Sequence, residues 1–183
     1  MNPRLALCAV LFIWPIQPID DVARAWMQAH RTPALEAPMH VLSDRSRLAL
    51  IAGVGVALVS GASGRAFALE AALAGIPVNL VVEGLKWTVN RTRPDGESKR
   101  SNSSFPSSHA ANAFTVAAVL SRRWRRAAVP AWLAAAAVAS SRIYLDRHWL
   151  SDVLFALLLA LSAAWCVARL LVQQRRNNAA RTS

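Results

Sequence analysis

Apolar runs broken by short polar clusters divide this chain into a series of helices, several of them long enough to cross a bilayer. The first run, 5–14, follows Arg4; it is short for a span and close to the length of a signal-peptide core. Ala23-Arg24-Ala25 offers a small-x-small cleavage pattern, but Asp20 and Asp21 separate it from the apolar run. An uncleaved first helix is therefore the preferred reading, with a cleaved signal as the alternative. Residues 19–30 place Ile19, Val22, Ala23, Trp26 and Met27 on one helical face, the pattern of a helix lying in the membrane interface. Further apolar segments cover 48–62, bracketed by Arg47 and Arg65, and 66–90, where Pro77 predicts a kink. Residues 91–108 are polar, with Gly96, two prolines and several serines, and read as an exposed loop. A fourth span starts at about Ser107 and stops before Arg122. A fifth covers 127–144, with Pro130 tolerable in its first turn, and a sixth covers 149–171 ahead of a basic tail. The expectation is an all-α, polytopic membrane bundle of about six transmembrane helices, with residues 1–183 forming one domain.

Composition supports the membrane class: hydrophobic residues make up 55% of the 183 and charged ones 17%. The formal charge of +11 raises nucleic acid as a partner. The basic residues alternate with apolar spans instead of lining one face, so no nucleic-acid binding is expected. Cys8 and Cys166 both lie in apolar runs without metal-ligand or C-x-x-C spacing, which predicts membrane-buried, inert thiols.

The polar residues that interrupt the later spans form a set with chemical meaning. Lys86 is followed after six residues by Arg93-Pro94; then come Pro106-Ser107-Ser108-His109 and Ser141-Arg142, with His148 and Asp152 beyond. Lys86 and Arg93 are seven apart, two turns if the helix persists, although Pro94 favours a break just before it. Taken alone, both are as readily snorkelling interfacial cations. Ser107 and Ser108 sit where a helix begins, and their hydroxyls with free backbone N–H groups suit a phosphate; an ordinary N-cap is the plainer reading. His148 and Asp152 are at i and i+4, so on a helix the carboxylate can accept from one ring nitrogen and leave the other free to attack; a His–Asp pair that merely caps the last helix is the plainer reading. Two histidines, a carboxylate, cations and small hydroxyls at one membrane edge make a kit for phosphoryl transfer. Glu83, one turn before Lys86, is a functional candidate because it is ionisable within an apolar helix, but an ion pair holding Lys86 is preferred. Asp146 and Arg147 are expected to be solvated.

These three segments, 86–94, 106–109 and 141–152, resemble the signature of the type 2 phosphatidic-acid phosphatase superfamily, which includes the vanadium haloperoxidases. That signature reads K-x6-R-P, P-S-G-H and S-R-x5-H-x3-D. The chain matches every fixed position of the first and third parts and carries Ser108 where the second usually has glycine. The third part alone fixes four positions, a coincidence expected roughly once in 10⁵ placements at average composition. The layout resembles the membrane branch. That resemblance implies a lipid phosphatase acting on substrates such as undecaprenyl diphosphate, phosphatidylglycerol phosphate or phosphatidate. It implies His148 as the nucleophile forming a phosphohistidine, His109 as the acid and then the base, and Asp152 as the group orienting His148. Lys86, Arg93, Ser107, Ser108 and Arg142 would bind the phosphate, with no metal and no cofactor. Asp146 and Arg147 have no part in it.

If the spans alternate, the cluster Arg122, Arg123, Arg125, Arg126 and the tail share one side, and the signature segments share the other. Dense short-loop arginine marks the cytoplasmic face. The site is thus expected to face the periplasm or cell exterior from the cytoplasmic (inner) membrane. Two other classes stay open at this stage: a vanadate-dependent haloperoxidase, which would share the anion site, and a non-catalytic membrane protein that binds or transports lipid phosphates.

Overall fold

A computed structural model describes residues 16–182, and among them the only repeating secondary structure is helical. Six α-helices follow in order: α1 (Gln17–Ala29), α2 (Pro33–Val59), α3 (Gly61–Val89), α4 (Ser108–Arg123), α5 (Ala128–Tyr144) and α6 (Leu150–Thr182). The all-α polytopic bundle is thus the observed class, and α3 and α6 are by length and composition apt to cross a membrane. The first apolar run and Cys8 lie outside the described residues.

The packing is inverted relative to a water-soluble bundle. Small side chains fill the interior: Ala156, Ala160 and Ala164 recur every fourth residue along α6 at 0%, 0% and 3% exposure. Ala156 and Ala160 pack with Ala110, Ala113 and Ala117 of α4, and Ala164 with Ala118 and Val119 of the same helix. Large apolar residues point outward, among them Leu69, Leu80, Leu133, Leu158 and Trp165. In water such a surface would be costly, since each exposed side chain of this size forgoes about 1.5–3 kcal/mol of burial. Against lipid it costs nothing, and small residues inside let helix backbones approach closely. Cys166 is exposed on this outer face of α6.

The interfacial helix follows the same logic. On α1, Ile19, Val22 and Trp26 are exposed while Asp20 is 1% exposed. Its polar face grips the protein. Arg24 and Arg31 pair with Asp146 at 2.9 and 3.1 Å, and Gln28 also donates to Asp146. The expectation of a solvated residue is corrected for Asp146, whereas Arg147 is exposed as expected. Asp146 takes a left-handed backbone conformation (φ 54°) in the α5–α6 turn, which turns its carboxylate onto α1, and Arg147 pairs with Asp95 at 3.2 Å.

Two further boundaries differ from the pattern reading. Helix α2 begins at Pro33, well before the apolar run at 48, because its first turns are polar and carry no hydropathy signal. Proline at its first position costs no hydrogen bond there. Helix α6 continues through the basic tail to Thr182. Helices α4 and α5 run antiparallel, so the start of α4 and the end of α5 share one end of the bundle. The arginine cluster lies at the other end, about 24 Å away at 1.5 Å per residue.

Candidate active site

Helix termini deliver the polar residues to one end of the bundle. Helix α3 stops at Val89, and Asn90 caps it in the left-handed region (φ 47°), its N–H donating to the Lys86 carbonyl. Asparagine tolerates that conformation better than most residues. Arg93 therefore leaves the helix and does not continue the two-turn spacing from Lys86. The following loop is exposed over 98–101, as its composition implies, but turns inward beyond it, where Ser103, Ser104 and Ser107 are 0% exposed. Backbone bonds fold it inward, with Ser104 N donating to Arg91 O at 2.9 Å and Arg91 N to Ser103 Oγ at 2.9 Å. Ser107 then caps α4, its hydroxyl accepting from Ala110 N.

The expected phosphate ligands gather here. Lys86 is buried, donates to Ser108 Oγ at 2.9 Å and pairs with Glu83 at 3.5 Å. The ion-pair reading of Glu83 thus agrees with the geometry, and the serine in place of glycine serves as a partner for Lys86. Arg93 is buried with Nε donating to Asn102 O at 2.9 Å and Nη1 3.7 Å from Glu97. Burial pushes its guanidinium below its ordinary value, while Glu97 and Asp95 pull it back. Arg142 donates to Ser43 of α2, yet its buried Nε has no hydrogen-bond partner among the described residues. A buried donor left unmade costs about 1–3 kcal/mol, so such an atom marks a place where an acceptor belongs. The fields of Arg142, Arg47 and Lys86 all reach His109, which is half-buried at the start of α4. Concentrated like charge of this kind favours an anion.

The histidine–carboxylate pair is built differently from the sequence expectation. His148 precedes α6 in an irregular turn, so the i, i+4 helical relation does not hold. Its Nδ1 donates to the backbone carbonyl of Ser104 at 2.6 Å, and Asp152 Oδ2 lies further off at 3.7 Å. Asp152 instead caps α6, accepting from Trp149 N at 2.8 Å, and also accepts from the Ser104 hydroxyl. Because His148 is buried, its imidazole is held below the ordinary histidine value against the pull of Asp152. With Nδ1 committed, Nε2 takes no hydrogen bond among the described residues and is the nitrogen left for chemistry.

Sequence reasoning passed over Ser104, Arg91 and Asp20. Arg91 is buried between two carboxylates, Asp152 at 2.6 Å and Asp20 at 2.7 Å. Asp20 in turn accepts from Ser151 N at 2.8 Å and Ser151 Oγ at 2.6 Å. Removing one member of a buried ion pair typically costs about 3–5 kcal/mol, so these groups are interdependent. The available signal was the acidic residue on the polar face of an interfacial helix. Among the described residues, no group of three or more His, Cys, Asp or Glu side chains converges as a metal ligand set.

Beside the cations, an apolar groove of about 660 Å³ runs between α2, α3 and α4. Arg47 and Glu83 line it together with Leu50, Ile51, Ile76 and Leu80, and Asn79 and Asn112 hydrogen-bond each other at 2.7 Å along its wall.

Comparison with known proteins places this arrangement. A model of the PAP2 superfamily matches residues 66–176, which include all three signature segments. The crystal structure of LpxE from Aquifex aeolicus is similar in fold, with a TM-score of 0.71 at 22% identity over 81% of this chain and 93% of that one. So is the first transmembrane PAP2 type phosphatidylglycerolphosphate phosphatase from Bacillus subtilis. Its TM-score is 0.66 at 23% identity, over 94% of this chain and 96% of that one. A search of curated proteins finds no match.

Proposed function

The chain belongs to the PAP2 superfamily, and from that premise we propose that it is an integral membrane phosphatase hydrolysing lipid phosphates or diphosphates through a phosphohistidine. The observation that carries the reading is the unpartnered, buried Nε of Arg142 amid Lys86, Arg93 and His109, on the same site as a His148 whose Nδ1 is taken by a carbonyl and whose Nε2 is left over. The cations and the start of α4 take the non-bridging phosphate oxygens. His148 Nε2 forms a bond to phosphorus as the bond to the leaving oxygen breaks, and His109 gives that oxygen its proton. His109 then takes a proton from water, whose oxygen displaces the imidazole and releases phosphate. Asp152 and the Ser104 carbonyl hold the Nδ1 proton in place and support the charge that builds on the ring.

The substrate class follows from the surroundings. The groove lined by Arg47 and by Glu83, the ion partner of Lys86, suits an acyl or polyprenyl chain, and the outward-facing leucines put its walls in lipid. Phosphatidylglycerol phosphate, phosphatidate and undecaprenyl diphosphate all fit that description. The whole chain, 1–183, acts as one membrane domain. The site end faces the periplasm or exterior, and the arginine cluster and C-terminus face the cytoplasm. A cysteine replacing exposed Ser101 should react with an impermeant thiol reagent on intact cells; protection would reverse the topology.

Purified protein should release inorganic phosphate from a panel of lipid mono- and diphosphates, should do so in excess EDTA, and should be inhibited by vanadate. Release that stops in chelator and returns with magnesium would contradict charge neutralisation by side chains. No release from any lipid phosphate would remove the proposal.

A further inference from the structure

Arg91 lies inside the six unspecified positions between Lys86 and Arg93, and both its backbone and one arm of its guanidinium hold groups that contact His148. Its backbone fixes the loop that carries the first acceptor of the His148 Nδ1 proton, through Ser104 N to Arg91 O and Arg91 N to Ser103 Oγ, both at 2.9 Å. Its side chain fixes the second, with Nη1 donating to Asp152 Oδ1 at 2.6 Å and to Ser151 Oγ at 2.7 Å. Nη2 points the other way, to Asp20 Oδ2 at 2.7 Å and Gln17 Oε1 at 2.9 Å on α1. The guanidinium also lies 5.3 Å from the centre of the Trp149 ring, next in sequence to His148.

We propose that Arg91, braced by Asp20, is the positioning residue that sets the orientation of His148, and that the interfacial helix α1 is therefore part of the active-site scaffold. This rests on the reading of His148 as the nucleophile. A role as a further phosphate ligand is the natural competitor, and the geometry is against it. All four Nη hydrogens of Arg91 are committed, two to each pair of partners just described. Arg142, by contrast, keeps a buried donor with nothing to donate to. A lysine could supply the charge of Arg91 but could not span Asp152 and Asp20 with two forks at once. Asp20 serves as the brace. It is 1% exposed, ties Arg91 to the first turn of α6 through Ser151, and sits on the face of α1 opposite the lipid-facing Ile19, Val22 and Trp26. Further along the same helix Arg24 and Gln28, and Arg31 just beyond its end, hold Asp146, two residues before His148. Helix α1 thus grips the His148 turn from both sides.

The test uses full-length protein and the variants Arg91→Lys and Asp20→Asn, alone and combined with Asp152→Asn. Each single variant should lower kcat by about tenfold to a hundredfold, the usual cost of losing an outer-shell partner, with KM unchanged. In the Asp152→Asn background, Arg91→Lys should cost no more than about twofold further, because the two act through one imidazole. Independently of turnover, ¹⁵N-labelled histidine should show a slowly exchanging His148 Nδ1 proton, assigned by its loss in His148→Asn. That signal should exchange faster in Arg91→Lys and in Asp20→Asn. Multiplicative losses in the double variant, a raised KM at constant kcat, or an unchanged Nδ1 proton would each overturn the proposal. Should Arg91→Lys fail to fold, Asp20→Asn carries both readouts. A wild-type protein that releases no phosphate would end the functional reading, and the Nδ1 proton would still decide this one.

Discussion

On one side of His148 nearly every polar atom is engaged. Asp152 accepts from Arg91, Ser104 and Trp149 N, Asp20 accepts from Arg91 and Ser151, and the imidazole Nδ1 is taken by a carbonyl. On the other side, Lys86, Arg93 and Arg142 are brought close with only Glu83 and Glu97 in direct ion pairs among the described residues, where one guanidinium N–H also has no acceptor. Both regions are buried and both are charged. They differ in completeness. A saturated network holds a group in one place, whereas an electropositive, under-satisfied one is stabilised by what it binds. The phosphatase reading assigns the first to orienting the nucleophile and the second to gripping the phosphate.

Three substitutions bear on that contrast. His109 belongs to neither network and its side chain makes no hydrogen bond among the described residues, as a group that shuttles a proton requires. His109→Ala should lower turnover of a lipid phosphate by about 10²–10⁴, while an activated ester such as p-nitrophenyl phosphate should lose far less in its phosphorylation step. Equal losses on both substrates would assign His109 to orientation. Arg142→Gln should weaken vanadate inhibition and raise the barrier by the equivalent of about 10²–10³ in rate, as removing one donor to a developing anion does elsewhere. An unchanged response to vanadate would dissolve the contrast. The smallest effect is expected at Ser108, whose hydroxyl accepts from Lys86. Ser108→Ala removes one hydrogen bond to a charged group, about 1.5–3 kcal/mol, part of which Glu83 can recover through its ion pair. KM should rise by less than about tenfold with kcat little changed, and a fall in kcat instead would place Ser108 beside the reacting atoms.

The sequence announces the under-satisfied region far better than the saturated one. Lys86, Arg93, Ser107, Ser108, His109 and Arg142 stand out because cations and hydroxyls beside apolar spans are conspicuous and their order matches a known signature. The network behind His148 depends on contacts that leave little trace in a sequence. Its closest acceptor is the backbone carbonyl of Ser104, which any residue could provide, and only the fold of the 91–108 loop brings it there. Asp20 looks like one more polar residue on the wet face of an interfacial helix, and its burial becomes legible only once α1 docks on the α5–α6 turn. The start of α2 was hidden for a related reason: its first turns carry Glu36, His40, Asp44 and Arg45, so hydropathy marks only the later half. The spans themselves, and the cap at Ser107, were readable because apolar length and capping chemistry act locally.

The central claim is that His148 becomes covalently phosphorylated. Rapid quenching after mixing purified protein with a ³²P-labelled lipid phosphate should trap an acid-labile, base-stable phosphoenzyme that maps to the peptide containing His148. It should be absent in His148→Asn and accumulate when His109→Ala slows its hydrolysis on an activated substrate. A wild-type enzyme that turns over at full rate with no trapped phosphohistidine, or a label that persists in His148→Asn, would contradict the account.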